Sequence, residues 1–548
     1  MKKLVLGLTI AASFSNVEAQ DFYGTLHPFA KENVYFVITD RFVDGDKSNN
    51  YEHETGFNKP LNWPNGDKAN VGYLGGDFKG LLSQADYISD LGFTSIWMTP
   101  IVKNPADAFT GGDEIKPTGF AMDRGKSGYH GYWGVNFYEL DKHLPSKDLN
   151  FQQLNEKLGK HGLKTIIDVV INHGSPAYTM PKPQADFGKL YDKNGKLVSD
   201  HMNLKPESLS PKANPKHAWF NTKPDLAQLA DINVENPQAL KYFTDAYLQW
   251  LGQGASAMRL DTVKHVPAKV WGQFSKIIRV QYPNLFMFGE VYSYDAKQIA
   301  KYTYPEFGGM SVLDFPLKQA MDNVFANGKG FEALSSALHL TKGPYANPYE
   351  LSTFYDNHDM PRMNADDNGF IDAHNLLFTS RGIPVVYYGS EMGFMRGKGE
   401  HFGNRNYYGV NNIQKAKKHK IAQQLKQIAK VRKENIALQK GLQIVEELKG
   451  AKAVFYRVYQ HDGVSQTALV MLNKGDKAQT FSMPENIQTG RWENAVTGEK
   501  VDIKTQSRVT VPAHGVQVLL YNAEITSKPL IKALTASMQQ RLGTKTQL

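Results

Sequence analysis

The stretch GASAMRLDTVKH, residues 254–265, runs from small and apolar side chains into Arg259, Leu260 and Asp261, then into Lys264 and His265. A strand alternates its side chains between two faces, so Arg259 and Asp261 point the same way. A guanidinium beside a carboxylate favours the charged form, and an ionised carboxylate can serve as a nucleophile. Arg-x-Asp alone is more often a structural ion pair, so its reading depends on its surroundings.

On both sides of this stretch, short apolar runs alternate with helix-period segments. The runs are VYFVIT (34–39), SIWMTP (95–100), TIIDVVINH (165–173), AMRLD (257–261), LFMFGE (285–290), SVLDFP (311–316), LSTFYDN (351–357) and VVYYGSE (385–391). Between them, residues 236–254 place Leu240, Phe243, Tyr247, Leu248 and Leu251 on one helical face, and residues 267–283 do the same with Val270, Phe274, Ile277 and Ile278. Eight such units predict an α/β fold, a closed (β/α)8 barrel. Residues 174–228 are rich in Pro, Asn, Lys and Gly, contain the hairpin-like DKNGKLV, and read as a small domain inserted after the third strand. The barrel therefore takes residues 20–173 and 229–436. From 437 to 523 the period changes to two, as in AVFYRVY and ALVMLN, which predicts a C-terminal antiparallel β-sandwich; 524–548 is a basic tail, flexible or helical.

Residues 1–19 read as an export signal: Lys2 and Lys3, the apolar stretch LVLGLTIAA, then Val17-Glu18-Ala19. That predicts a secreted or periplasmic protein with no membrane association after cleavage. The sequence has no cysteine, so disulfides are excluded. Its formal charge of +9 is spread along 548 residues apart from a short run, KAKKHK (415–420), and clustering of the kind nucleic acid demands is absent. A monomer is expected.

In a barrel, functional side chains collect at the C-terminal ends of the strands. Asp261 ends the fourth strand and Glu290 the fifth, the latter among apolar neighbours that raise a carboxyl pKa and suit a proton donor. Two carboxylates on consecutive strand ends match the acid and nucleophile of a retaining glycosidase. Asp359 and His358 follow the seventh strand in TFYDNHDMPR, and His173 ends the third.

DVVINH, MRLDTVKH, FGEVY and FYDNHD, in this order, resemble the four signature regions of the α-amylase family, glycoside hydrolase family 13, and LADIN (229–233) resembles its further region. The resemblance runs from about Val34 to Tyr521. It implies that Asp261 is the nucleophile, Glu290 the acid/base, and Asp359 a group that binds sugar hydroxyls and helps distort the ring. Arg259, His173 and His358 would line the same subsite, Tyr132 of YHGYW would stack under the sugar, and Lys264 and His265 would reach the neighbouring glucose. The implied activity is endo-hydrolysis of α-1,4-glucosidic bonds in an α-glucan such as starch, glycogen or maltodextrin.

Calcium is the cofactor expected. Asp44, Asp46, Asn49 and Asn50 of DGDKSNN, with the Gly75 carbonyl and Asp77 of GGD, offer hard oxygen ligands, and similar segments bind calcium in cyclodextrin glucanotransferases. By the same resemblance Asn172, Asp231 and the His265 carbonyl would form a second site. The relatives most similar in motif are those cyclising transferases and similar amylases, but three departures stand out. Ala227 occupies the position, four before the Asp of LADIN, where the cyclising enzymes carry Tyr or Phe. The sequence stops soon after its first β-domain, and GNRNYYG (403–409) replaces the usual DPxNR. The first two favour hydrolysis over a cyclodextrin-acting or 4-α-glucanotransferase reading, while the third implies different subsites near the eighth strand and leaves specificity open. A non-catalytic glucan-binding protein on the same barrel would be expected to lack one of the three carboxylates.

Overall fold

The structure is a computed structural model that describes residues 20–116 and 122–543; the stretch read as an export signal lies outside the described residues. Eight short strands, β1 (Val34–Val37), β2 (Ser95–Met98), β3 (Lys164–Val169), β4 (Ala257–Leu260), β5 (Phe286–Gly289), β6 (Ser311–Val312), β7 (Ser352–Thr353) and β8 (Ile383–Tyr387), form one parallel sheet in the order β6-β5-β4-β3-β2-β1-β8-β7. A parallel bridge between Leu313 and Ser352 joins its two ends. These are the eight apolar runs of the sequence. They read as continuous rather than alternating because both faces of each strand are covered, as in β1, β2, β4 and β5, where every residue is buried.

Aromatic rings fill the barrel under its mouth. Phe36 of β1 stacks on Trp97 of β2 at 3.7 Å between centroids, and Trp97 meets Phe288 of β5 edge-on at 5.5 Å. Outside, the helix Pro237–Gly252 starts with Pro at its first turn and an Asn236 side chain accepting from the Gln238 amide. It buries Leu240, Phe243, Tyr247 and Leu251 as the periodicity requires, while Leu248, at the edge of that face, is half-buried. On the helix Ala268–Gln281 the inner face is Val270, Trp271, Phe274, Ser275 and Ile278, while Ile277 is 39% exposed. Trp271 also faces inward, its indole donating to the Val263 carbonyl at 2.9 Å.

Two excursions shape the mouth. In the segment after β3, the strand His173–Pro176 pairs with Leu229–Asp231, and Lys189–Tyr191 pairs with Leu197–Asp200 around DKNG as the sequence predicts. Met180 and Phe187 of this segment pack with Phe109 and Trp133, which roots it on the loop after β2.

The C-terminal strands are β9 (Leu442–Lys449), β10 (Lys452–His461), β11 (Val464–Asn473), β12 (Gln479–Ser482), β13 (Gly490–Asn494), β14 (Lys500–Ile503), β15 (Arg508–Val511) and β16 (Gly515–Tyr521). Six form an antiparallel sheet in the order β9-β10-β11-β16-β13-β14, and β12 with β15 forms a separate ribbon. Phe481 and Val511 of the ribbon share a core with Leu469, Met471 and Leu519 of the sheet. The tail is settled as a helix, Lys528–Gly543, whose Leu530 and Leu534 enter that core. Its Arg541 donates to the Gly24 carbonyl at 2.8 Å, and Phe22 pairs with Gln460 of β10. Among the described residues no helix is long and apolar enough to cross a membrane.

Buried arginines tie the parts together. Arg457 of β10 donates to the Thr379 carbonyl at 2.9 Å, and Arg381 pairs with Asp314 at 2.7 Å while donating to the carbonyls of Ala337 and Leu338. Both members of the Arg381–Asp314 pair are fully buried. Removing one partner strands a buried charge, so Arg381→Ala is expected to lower stability by about 3–5 kcal/mol, read from chemical denaturation. A loss under about 1 kcal/mol would show that the pair is solvated.

Candidate active site

The parallel register sets Arg259 of β4 beside Asp168 of β3 and Phe288 of β5. The ladder continues past the strands: the Asp261 amide donates to the Val169 carbonyl at 2.9 Å, and the Glu290 amide to the Leu260 carbonyl at 2.8 Å. These bonds fix Asp261 and Glu290 on adjacent strand ends. Arg259, with no exposed surface, then contacts three carboxylates. Its Nη1 lies 2.6 Å from Asp261 and 2.9 Å from Asp168, and its Nη2 lies 3.1 Å from Glu290. Its guanidinium carbon stands 5.1 Å above the Trp97 ring.

One cation cannot balance three buried carboxylates, so a proton must stay. Burial, with the charges of Asp261 and Asp359, pushes Glu290 up to about 8 against the pull of Arg259. Burial also raises Asp168, to about 6, and Arg259 opposes the rise. Glu290 is thus the group held protonated at neutral pH. It accepts from the Thr262 amide at 3.2 Å, and Thr262 sits in the left-handed region at φ 46°. For a β-branched residue that conformation is strained. The strain buys an amide aimed at the acid.

Asp359 approaches from the end of β7. Its side chain is 31% exposed at the cavity wall; partial desolvation there raises it, opposed by Arg405, whose Nη2 lies 2.9 Å away. His358 lies 3.3 Å from Asp359, and its ring stacks on Tyr132 at 5.2 Å. Burial lowers both His358 and His173, so each presents a neutral imidazole. Tyr132 donates to Asp168 at 2.8 Å. Its phenol is thereby anchored, leaving the ring to face the opening.

Asp261, Glu290, Asp359, Tyr132, His173, Lys264, His265 and His358 all line one cavity of about 640 Å³, within the size range of small-molecule sites. Arg259 is the exception among the sequence candidates: it supports the carboxylates from behind instead of lining the space. Lys264 Nζ donates to the Tyr292 carbonyl at 3.1 Å, and His265 Nδ1 lies 3.0 Å from Asp225. Sequence reasoning missed Asp168, although it stands in DVVINH one strand over from Arg259. It also missed the wall of Lys126, Glu400 and Arg405. Glu400 lies 2.7 Å from Lys126 and 2.9 Å from Arg405, and despite burial these cations hold it well below the usual carboxylate range. The departure at 403–409 was the only visible signal of that wall.

Among the described residues no cluster of three or more His, Cys, Asp or Glu is placed to hold a metal. The set expected at residues 44–77 has a different composition, three carboxylates with two side-chain amides and a carbonyl. Asp44 Oδ1, Asn49 Oδ1, Asn50 Oδ1 and Asp77 Oδ2 are all buried without a hydrogen-bond partner. Orphaned acceptors in one segment are costly unless a cation meets them, so this donor set fits a hard cation. Gly75, at φ 87°, lies so close that a Cβ would stand 2.4 Å from Asn50 Oδ1. Asp46 is occupied otherwise: its Oδ1 accepts from the Ser48 amide at 3.1 Å, and its Oδ2 pairs with Lys79 at 3.3 Å. In the second set, Asn172 donates to Asp225 at 3.3 Å, and burial pushes Asp231 up to about 7. Asp225, absent from the sequence reading, stands between Asn172 and His265.

A closed barrel with a protonated glutamic acid and an aspartate bridged by one arginine at its mouth defines the glycosidase class of site. The chain belongs to the α-amylase family: the model "Alpha amylase, catalytic domain" matches residues 36–434. It is 34% identical over 382 residues to a cyclomaltodextrin glucanotransferase of Bacillus licheniformis, covering 68% of this chain and 50% of that protein. It is 28% identical over 508 residues to an α-amylase of Niallia circulans, covering 88% of each, and 29% identical to a β/α-amylase of Paenibacillus polymyxa, of which it spans 37%. The chain thus spans about half or less of several curated relatives it matches. Among solved structures, the cyclomaltodextrin glucanotransferase CldA, described as having a three-domain ABC distribution, superposes with a TM-score of 0.72 at 27% identity, covering 90% of this chain and 99% of that one.

With Glu290 as the proton donor, pushed up to about 8, kcat/KM is expected to fall as pH rises through about 8. Glu290→Gln is expected to lose about 100- to 10,000-fold in rate and to abolish that limb. A limb that survives in the variant would assign the titration to another group.

Proposed function

We propose that the protein is an exported α-amylase that hydrolyses internal α-1,4-glucosidic bonds with retention of configuration. The observation that carries the reading is the division of labour around Arg259: Glu290 is held protonated while Asp261 sits 2.6 Å from the guanidinium. Glu290 gives its proton to the glycosidic oxygen as the Asp261 carboxylate bonds to the anomeric carbon and the leaving chain departs. Glu290, now ionised, takes a proton from water, whose oxygen attacks the anomeric carbon and releases Asp261. Asp359, Tyr132, His173 and His358 crowd the reacting sugar and supply hydroxyl contacts. All three carboxylates face one cavity, which speaks against a non-catalytic sugar binder.

The competing reading is transfer of the glycosyl group to another sugar, with cyclodextrin as one product, and similarity to cyclomaltodextrin glucanotransferases favours it. Domain number does not separate the two, since a three-domain transferase is among the similar structures. Residue 227 does bear on the choice. Ala227 lines the cavity with its backbone at φ 47°, and its carbonyl accepts from Tyr178 at 2.8 Å. A methyl group offers no ring around which a glucan could wrap, where the cyclising enzymes it resembles carry Tyr or Phe.

Calcium is part of the proposal. Asp44, Asn49, Asn50, Asp77 and the Gly75 carbonyl would hold one ion, and Asn172, Asp231 and the His265 carbonyl a second. Bound there, calcium would neutralise carboxylates and stiffen the loops that frame the cavity.

Chromatography of the products of soluble starch and maltotriose tests the activity. Short linear oligosaccharides from starch, with nothing longer than the substrate from maltotriose, are expected. Rings or elongated products would overturn the hydrolytic reading. Chelation is expected to lower Tm in a manner reversed by added calcium; an unchanged Tm would remove the metal from the proposal.

A further inference from the structure

Beyond Glu290 the chain continues as Val291-Tyr292-Ser293-Tyr294. Val291 is buried, whereas Tyr292 and Tyr294 are 40% and 41% exposed, and they are the two aromatic residues among the large exposed apolar side chains of the described residues. Scattered exposed aliphatic residues need no explanation, but adjacent exposed rings beside a binding cavity do.

The two rings share a firm seat. Their centroids lie 6.2 Å apart at 67°, and Phe315 meets Tyr292 at 5.1 Å and Tyr294 at 6.1 Å. Phe315 is fully buried and packs edge-on against Phe354 at 5.1 Å. Lys264 pins the backbone of Tyr292 through its carbonyl and stands 5.7 Å from the ring. The rings are therefore held in place with surface left open to solvent, and a ring held in advance loses little freedom on binding.

The position of the acid gives the direction. A general acid protonates the leaving oxygen, so sugar units on the Glu290 side belong to the leaving part of the chain. Tyr292 follows the acid by two residues and lines the cavity beside Lys264, and Tyr294 comes two residues further along the chain, just outside the cavity lining. An α-1,4-glucan presents an apolar C–H face on each pyranose and a ring of hydroxyls at its edge, which matches an amphipathic phenol.

We propose that Tyr294 is a binding subsite for the reducing-end portion of an α-glucan, stacking a glucosyl unit beyond the one held at Tyr292. This rests on the glycosidase reading above. The subsite acts on long leaving chains and not on short ones.

The test compares the full protein with Tyr294→Ala and Tyr294→Trp on two substrates. One is end-labelled maltoheptaose; the other is p-nitrophenyl α-maltotrioside, whose single-ring leaving group is too short to reach Tyr294. For Tyr294→Ala, the ratio of kcat/KM on maltoheptaose to that on the nitrophenyl glycoside is expected to drop about five- to tenfold. Tyr294→Trp, which keeps a stacking face, is expected to hold the ratio near that of the unaltered protein. An unchanged ratio in the alanine variant, with the unaltered protein active on both substrates, would overturn the subsite alone. So would an equal fall on both substrates. An unaltered protein inert on both would overturn the glycosidase reading and the subsite with it.

Discussion

A single buried guanidinium is the constraint on which the mouth of this barrel depends. Arg259 contacts Asp168, Asp261 and Glu290 at 2.9, 2.6 and 3.1 Å, and its position follows from the register of β4 with β3. With fewer carboxylates it would be an ordinary ion pair; with three, the excess negative charge has to be met by a proton. Burial decides that the proton rests on Glu290. The asymmetry between two nearby acids thus comes from solvent exclusion and charge counting, without any special chemistry in either side chain. Trp97, beneath the guanidinium, keeps water from entering below.

Much of this was legible in the sequence. The eight apolar runs became the eight strands because a doubly covered parallel sheet writes itself as continuous hydrophobic stretches. Asp261, Glu290, Asp359, His173 and His358 follow strand ends, so locating the strands located them. The residues that escaped are those whose role depends on another strand. Asp168 lies inside a strand and is indistinguishable there from a structural polar residue until the register puts Arg259 beside it. Lys126, Glu400 and Arg405 sit in loops far apart in sequence, and no periodicity links them. Ile277 was placed inward by its spacing but is exposed, and Trp271, one position after Val270, also faces inward with a donor that finds the Val263 carbonyl.

The loops around the mouth also divide by chemistry. Next to Asp359, Lys126, Glu400 and Arg405 make a wall of paired charges whose two cations are buried. On the Glu290 side Tyr292 and Tyr294 leave aromatic surface open. Paired charges fix side chains in place and suit recognition of hydroxyls in defined positions. Open rings accept any pyranose that slides onto them.

The clasp between the two ends of the described chain bears on how the protein is made. Arg541 and Gly24 are 517 positions apart, and Phe22 pairs with Gln460. During synthesis the first strand of the barrel emerges long before β8, its neighbour on one side, and the segment ahead of it waits longer still for β10 and the last helix. Until then β1 carries an unpaired edge. A chain whose early segments find their partners only at the end is exposed to wrong pairings for most of its translation. Closure of the barrel therefore waits for β8, and fastening of the segment ahead of β1 waits for β10 and the helix Lys528–Gly543.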